Sequence, residues 1–435
     1  MKVKKNKIKI VTLGCSKNLV DSEFIMAQLK SNDIELINDE DKCETVIINT
    51  CGFIEDAKQE SIDTILCAVE KKNSGEIKDL YVAGCLSDRY KSVLEKDIPE
   101  VDKYFGQTDR QQTVMSILNE LGVNYKKDLI GERTLTTPGH FAYLKISEGC
   151  DNPCSFCSIP IMRGGHISKP LEDILIEAEK LADKGVRELI LIGQDVTYWG
   201  MDINGKRNLS KVLEELSRIK GIEWIRLMYT YPSRFPLDVI NVMKGNRKIC
   251  NYIDIPIQHV SDNALNSMRR GITRKNQTEL LEKLREEIPG IAIRTTLLVG
   301  YPEETKKDFE ELLDFVKEFK FERLGVFMYS NEEGTHSTEL EDRVPAKEKQ
   351  LRQKLILDEQ RKISLSLNEK CMDKVFKVLI DRKENDSYIG RTYKDAPEID
   401  QEIIINSKEN ISIGNFYKVR IYDFEEYDLF GEIIN

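Results

Sequence analysis

The chain has 435 residues, 40% hydrophobic and 32% charged, which is ordinary for a globular protein and too long for one core, so two to three domains are expected. No apolar run reaches the ~20 residues of a membrane helix, and the basic start MKVKKNKIKIVTLG passes into a short β-branched run with no small-residue cleavage site, so a cytoplasmic location is expected. The balance of 65 Lys and Arg against 75 Asp and Glu, a net −10, argues against a protein whose main task is gripping phosphate backbone, because phosphate neutralisation supplies most of that affinity.

Three blocks follow in chain order. In residues 1–134, β-branched runs at 7–14, 45–50 and 79–84 alternate with helical patterns at 18–30 and 56–72, the signature of a parallel sheet flanked by helices. Residues 135–370 repeat the strand–helix rhythm about six times, with strand candidates at 141–148, 188–195, 224–230, 252–258, 291–300 and 323–330. Six such units predict a partial TIM-like (βα)6 barrel whose chemistry sits at the C-terminal strand ends. A long helix-prone run, 346–370, closes this block. Residues 371–435 change character: VFKVLID, SYIGRTY, EIIIN, YKVRIYDF and LFGEII are short strands with turn residues between them, which predicts a small antiparallel barrel. The fold class is therefore α/β with a β-barrel at the C-terminal side.

Ten cysteines in a chain of this kind point to metal or redox chemistry rather than a disulfide framework. Cys150, Cys154 and Cys157 form a C-x3-C-x2-C run just after the first strand of the second block. Thiolates are soft ligands suited to zinc and iron–sulfur clusters. Structural zinc needs a fourth ligand, and His166 is poorly spaced for it, whereas a four-iron cluster on three cysteines leaves one iron for a substrate. A zinc knuckle or buried thiols remain the competing reading. Cys15, Cys51 and Cys85 each follow a strand of the first block, where the C-terminal edge of a parallel sheet gathers ligands. They can therefore converge on one centre, and Gly14, Gly52 and Gly84 beside them allow close approach. Three ordinary buried thiols are the alternative. Cys43, Cys67, Cys250 and Cys371 read as structural, with Cys67 on the buried face of its helix. No Walker loop or dinucleotide fingerprint is present.

The cysteine spacing, with Phe156 directly before the last cysteine, resembles the radical-SAM signature. The two triads, the βα barrel and the terminal β-barrel together resemble the methylthiotransferase family of radical-SAM enzymes over essentially the whole chain. The resemblance implies a methylthiotransferase domain, a radical-SAM core and a C-terminal TRAM domain. It implies an auxiliary four-iron cluster on Cys15, Cys51 and Cys85, a SAM-binding four-iron cluster on Cys150, Cys154 and Cys157, and S-adenosylmethionine used both as methyl donor and as radical source. The segment Leu13–Glu23, LGCSKNLVDSE, resembles the RimO-type branch and departs from it at Ser16, where proline is usual. Asn49–Ile54, Ser147–Cys150, Pro160–Gly164 and Asp395–Asp400 fit the same branch, with Gln401 standing where glycine is usual. That branch implies methylthiolation of the β-carbon of an aspartate in a ribosomal small-subunit protein, with an external electron donor such as flavodoxin or ferredoxin and a separate sulfur donor.

Other residues follow from position. Gly193, Gln194 and Asp195 end the second barrel strand, where the methionine end of SAM is expected. Arg226 and Tyr229 sit on the third, Arg294 on the fifth is a candidate partner for a carboxylate, Gly300 ends the fifth beside the expected adenine site, and Phe156 is expected to pack on adenine. Arg163, charged and near the second triad, is an electrostatic contact. His259, a lone histidine, reads first as hydrogen-bonded structure. Residues 371–435 hold nine Lys and Arg against fourteen Asp and Glu, a net −5. An acidic terminal domain suits a basic ribosomal protein rather than tRNA, with Asp395, Glu398 and Asp400 as the substrate-binding acids; a merely solvated acidic face is the alternative. The competing functions are a tRNA adenosine methylthiotransferase and a non-catalytic metal-bearing RNA-binding protein.

Overall fold

A computed structural model describes residues 7–37, 43–106, 110–407 and 410–434. Two compact units emerge: one from Met1–Thr136, Tyr143–Asp151 and Ser158–Lys180, the other from Thr137–Ala142, Asn152–Cys157 and Leu181–Asn435.

The first unit is built on a parallel sheet ordered β2-β1-β3-β4-β5, with β1 (Lys7–Thr12), β2 (Glu35–Leu36), β3 (Thr45–Thr50), β4 (Asp79–Gly84) and β5 (Lys103–Tyr104). The three long strands fall where the β-branched runs predict them. The two-residue strands β2 and β5 carry too short a pattern to be read. Helices α1 (Ser16–Ser31), α2 (Glu55–Asn73) and α3 (Cys85–Asp97) return the chain between strands. Because alternate residues of a strand point to opposite faces, Val46, Ile48, Leu80 and Val82 pack with Ile65, Ala68 and Val69 of α2 on one side. Ile8, Ile47, Tyr81 and Ala83 pack with Ile25 and Leu29 of α1 on the other. Both faces are covered, so these strands read as continuous apolar runs.

The second unit carries the six-stranded sheet β13-β12-β11-β10-β9-β6, with Phe141 and Ala142 of β6 (Phe141–Lys145) counted in it; a short pair, β7 (Ser147–Glu148) and β8 (Ile167–Ser168), belongs to the first unit. The other strands are β9 (Glu188–Ile192), β10 (Trp224–Leu227), β11 (Ile249–Asp254), β12 (Ala292–Val299) and β13 (Arg323–Met328), paired in parallel from β9 to β13. This is the predicted (βα)6 sheet, and the helix Ala346–Glu369 ends it. A closed barrel then forms from β14 (Val375–Glu384), β15 (Ser387–Arg391), β16 (Glu402–Asn406), β17 (Phe416–Phe424) and β18 (Asp428–Ile433). Its inward residues, among them Val378, Ile380, Ile403, Ile405, Val419 and Ile421, form one core. The β16–β18 pairing is parallel and the others are antiparallel.

Candidate functional site

Cys15 occupies the N-cap of α1, Cys51 follows β3, and Cys85 opens α3 directly after β4. Their loops are pressed together. Gly14 has φ +83°, and a Cβ there would lie 2.6 Å from the Cβ and 2.7 Å from the Sγ of Cys51. A Cβ on Gly52 would lie 2.8 Å from the backbone of Leu86. Only glycine tolerates either position, the first for conformation and space, the second for space.

Asn18, fully buried, fastens the three strand ends. Its Nδ2 donates to the carbonyls of Leu13 (3.0 Å) and Thr50 (2.9 Å), and its Oδ1 lies 3.7 Å from the Sγ of Cys85. Asn49 donates to the carbonyl of Asn18 at 2.9 Å. Ser61 braces Cys51, accepting its N–H at 3.0 Å and donating to its carbonyl at 2.8 Å. Sequence reading missed Asn18; its signal is an asparagine inside a helix, a residue that normally prefers caps and turns.

Burial pushes the Cys51 thiol up to about 11, and the neighbouring thiols of Cys15 and Cys85 add to that. Cys15 has an exposed side chain, yet its surroundings are dense enough that desolvation opposes ionisation. Lys17, Arg163 and the N–H groups of Asn18 and Lys17 outweigh this and lower its pKa. Arg163, at the end of α4 (Ile159–Arg163), donates through Nε to the Sγ of Cys85 at 3.3 Å; its Nη1 lies 2.8 Å from Glu148 and 3.4 Å from Asp21, and its Nη2 donates to Asn18. The sequence put Arg163 with the second triad by proximity in the chain. The fold places it on a cysteine of the first.

Cys150 lies in the first unit, buried, with its N–H donating to the carbonyl of Gly164 at 3.1 Å. Cys154 and Cys157 lie in the second. The Cys157 N–H donates to the Cys154 carbonyl at 3.2 Å, Ser155 N–H to Met268 at 3.1 Å, and the Ser155 and Tyr301 hydroxyls meet at 2.8 Å. The Sγ of Cys154 accepts from Arg270 Nη1 at 3.2 Å and lies 3.4 Å from the Tyr231 hydroxyl. Phe156 packs against Ala264, Met268, Leu298, Tyr301 and Tyr329.

Among the described residues no three Cys, His, Asp or Glu side chains close round a single ion. A multi-iron cluster takes its thiolates at the corners of a larger body than one tetrahedral ion does. Three thiols held at converging strand ends, one of them costly to ionise without a cation, suit such a cluster.

Gly193 and Gln194 follow β9, and Gly300, with φ +73°, follows β12, so these three sit at C-terminal strand ends of the second unit. Gly300 N–H donates to the buried Glu304, which pairs with Arg352 at 3.1 Å. His259 is fully buried; its Nδ1 accepts the N–H groups of Val260 (2.9 Å) and Ser261 (3.0 Å). That fixes the proton on Nε2, which lies 3.5 Å from Glu304.

Four site expectations need correction, because the C-terminal barrel uses these residues to seal itself against the sheet. Arg226 is fully buried, with Nε on Glu188 at 2.7 Å and Nη1 on the Tyr393 carbonyl at 2.7 Å. Arg294 pairs with Asp254 at 2.9 Å and Asp400 at 3.3 Å. Arg226 is thus held by Glu188 at the start of β9 and by the barrel, and Arg294 is shared between Asp254, which ends β11, and Asp400 of the barrel. Asp395 is 2% exposed, held by Arg323 at 3.0 Å and Thr392 at 2.6 Å. The Asp400 side chain, also 2% exposed, accepts from the Tyr252 hydroxyl and the Ala396 N–H. Neither offers a surface acid to a substrate; of the three, only Glu398 is exposed. Cys67 is likewise exposed rather than on a buried helix face.

Residues 7–106 match the Uncharacterized protein family UPF0004, residues 144–316 the Radical SAM superfamily, and residues 374–434 the TRAM domain. Three similar proteins bear the name ribosomal protein uS12 methylthiotransferase RimO. That of Christiangramia forsetii is 53% identical over 100% of this chain and 95% of its own length. That of Cytophaga hutchinsonii is 53% identical over 99% and 98%, and that of Chloroherpeton thalassium 51% over 100% of both. The fold is similar to that of the radical S-adenosylmethionine methyltransferase TsrM from Kitasatospora setae, solved with cobalamin and a four-iron four-sulfur cluster, at a TM-score of 0.56, 14% identity and 75% coverage of each chain.

Proposed function

Because this chain belongs to the family of ribosomal protein uS12 methylthiotransferases, radical-SAM enzymes with two four-iron clusters, we propose that it replaces a hydrogen on the β-carbon of an aspartate of uS12 by a methylthio group. The full-length likeness to the three uS12 enzymes carries this reading. The clusters and SAM supply the radical that takes hydrogen from an unactivated carbon, and the sulfur and methyl group that take its place.

The chain's own work is to hold and to insulate. We assign Cys15, Cys51 and Cys85 to the auxiliary cluster and Cys150, Cys154 and Cys157 to the SAM cluster. The convergence of the first set around Asn18 and Gly14 supports the assignment, as does the cation beside each set. Phe156, Gly193, Gln194 and Gly300 are the SAM-facing residues in this reading. Glycine at two of them lets backbone approach a ligand closely, and Glu304 fixes the backbone of Gly300. Of the three acids expected to bind substrate, Glu398 is the exposed one, and we assign it to a basic substrate. The reaction also requires a one-electron donor of the flavodoxin or ferredoxin class and a sulfur donor. Action on a ribosomal protein supports a cytoplasmic location. No helix among the described residues is long and apolar enough to cross a membrane.

Anaerobic reconstitution with iron, sulfide, SAM and a reductant, followed by mass spectrometry of uS12 and of tRNA under identical conditions, tests the reading. The expected product is methylthiolated uS12, and a methylthio group on tRNA alone refutes the substrate. Replacing Cys150, Cys154 and Cys157 with alanine should abolish SAM cleavage and leave about four irons. Replacing Cys15, Cys51 and Cys85 should leave SAM cleavage and abolish methylthio transfer. Loss of all iron from either folded triple variant contradicts the assignment.

A further inference from the structure

Arg270 is a buried charge beside Cys154 of the second triad. It is 4% exposed. Its Nη1 donates to the Sγ of Cys154 at 3.2 Å, its Nη2 to the carbonyl of Pro256 at 2.6 Å, and its guanidinium lies 4.3 Å from the centre of the Tyr231 ring. Its Nε has no hydrogen-bond partner, and among the described residues no carboxylate lies within ion-pairing distance of it. A guanidinium cannot shed its charge by losing a proton, so its counter-charge has to come from what Cys154 holds.

Tyr231 does not compete for the sulfur. Its one hydroxyl proton goes to the carbonyl of Arg270 at 2.9 Å. The N–H of Arg270 is therefore the donor to the Cys154 sulfur. The first triad provides a contrast within the same chain. Arg163 also donates to a cysteine sulfur, but two carboxylates, Glu148 and Asp21, stand beside it and offset its charge.

We propose that Arg270 is a positioning residue that raises the reduction potential of the iron–sulfur cluster held by Cys154. The proposal rests on the ligand assignment above. Uptake of one electron from an external low-potential donor of the flavodoxin or ferredoxin class adds one negative charge to the cluster and neither forms nor breaks a bond. A positive charge at hydrogen-bond distance from a ligand sulfur favours that added charge, and in a dry site little water screens it. Hydrogen bonds to ligand sulfurs and the net charge around a cluster are among the terms that set its potential. The cation over Tyr231 and the bond to Pro256 fix the guanidinium in place, so the effect comes without reorganisation.

The test uses the full chain carrying Cys15→Ala, Cys51→Ala and Cys85→Ala, so that one cluster remains, reconstituted anaerobically with iron and sulfide. The midpoint is read by EPR-monitored redox titration. Adding Arg270→Met should lower the reduced-to-oxidised ratio at a fixed potential at least about tenfold, which is 59 mV for a one-electron couple. Arg270→Lys keeps the charge and should recover at least half of the shift. A ratio within about twofold of the parent in Arg270→Met, with about four irons bound, overturns the proposal, and so does an Arg270→Lys variant that matches Arg270→Met. If Arg270→Met loses its iron, the parent itself decides. With 15N-labelled arginine, its reduced cluster should show a nitrogen coupling in pulsed EPR that disappears in Arg270→Lys, and absence of that coupling overturns the proposal. A parent that takes up no iron overturns the ligand assignment instead, and the proposal with it.

Discussion

Asn18→Ala is the sharpest test of how the first triad is assembled. The side chain makes two neutral hydrogen bonds to the carbonyls of Leu13 and Thr50 and accepts one from the charged Arg163. Each neutral bond contributes about 1 kcal/mol net, and a bond to a charged group about 1.5–3 kcal/mol. Thr50 is fully buried, so its carbonyl loses a partner that water cannot easily replace. The sum is about 3–5 kcal/mol, a large part of the about 5–15 kcal/mol that holds a domain together. The loss falls where the three cysteine loops meet, so it should appear twice. Urea unfolding should begin at a lower concentration, by about 1–2.5 M for a slope of about 2–3 kcal/mol per M. Iron after anaerobic reconstitution should fall from about eight to about four per chain, with SAM cleavage retained. An Asn18→Ala protein with unchanged iron and an unchanged unfolding midpoint would refute the reasoning.

Glu188→Gln should cost about 3–5 kcal/mol, since it leaves Arg226 buried without its carboxylate; urea unfolding against an exposed control, Glu223→Gln, measures it, and equal midpoints for the two count against it. The same carboxyl predicts the acid limb of stability. Burial pushes its pKa up, but Arg391 and Arg226 hold it below the ordinary value of 4.5. The stabilisation is therefore complete above that ordinary value and is lost as pH falls through the lower folded one, and Glu188→Gln should flatten this limb between pH 5 and the acid extreme. Charge reversal at the terminal barrel should split by position. Glu398→Lys should weaken uS12 binding, less so at high salt, whereas Asp395→Lys should lower the unfolding midpoint because it faces Arg323 inside the fold.

The organisation of the molecule was legible because it rests on local pattern. Runs such as TVIINT and ELILI specify strands through β-branched residues and helices through 3.6-residue periodicity, and a parallel sheet sends its strand ends to one edge, so Cys15, Cys51 and Cys85 could be grouped from sequence alone. The C-x3-C-x2-C spacing needed no fold at all. What the tertiary structure decided were the partners of the charged and polar side chains. Arg163 is near Cys157 in the chain but bonds Cys85, 78 residues away, and Arg270 meets Cys154 across 116 residues. Asp395 and Asp400 sit in a stretch that reads as an acidic surface, yet Arg323 and Arg294 draw them inside. Arg226, on a strand of the sheet, is claimed by the barrel that follows it. Apolar periodicity says which face of an element is buried, because hydrophobic burial needs no particular partner. A buried charge needs one specific counter-charge, and only the packed chain determines which residue supplies it.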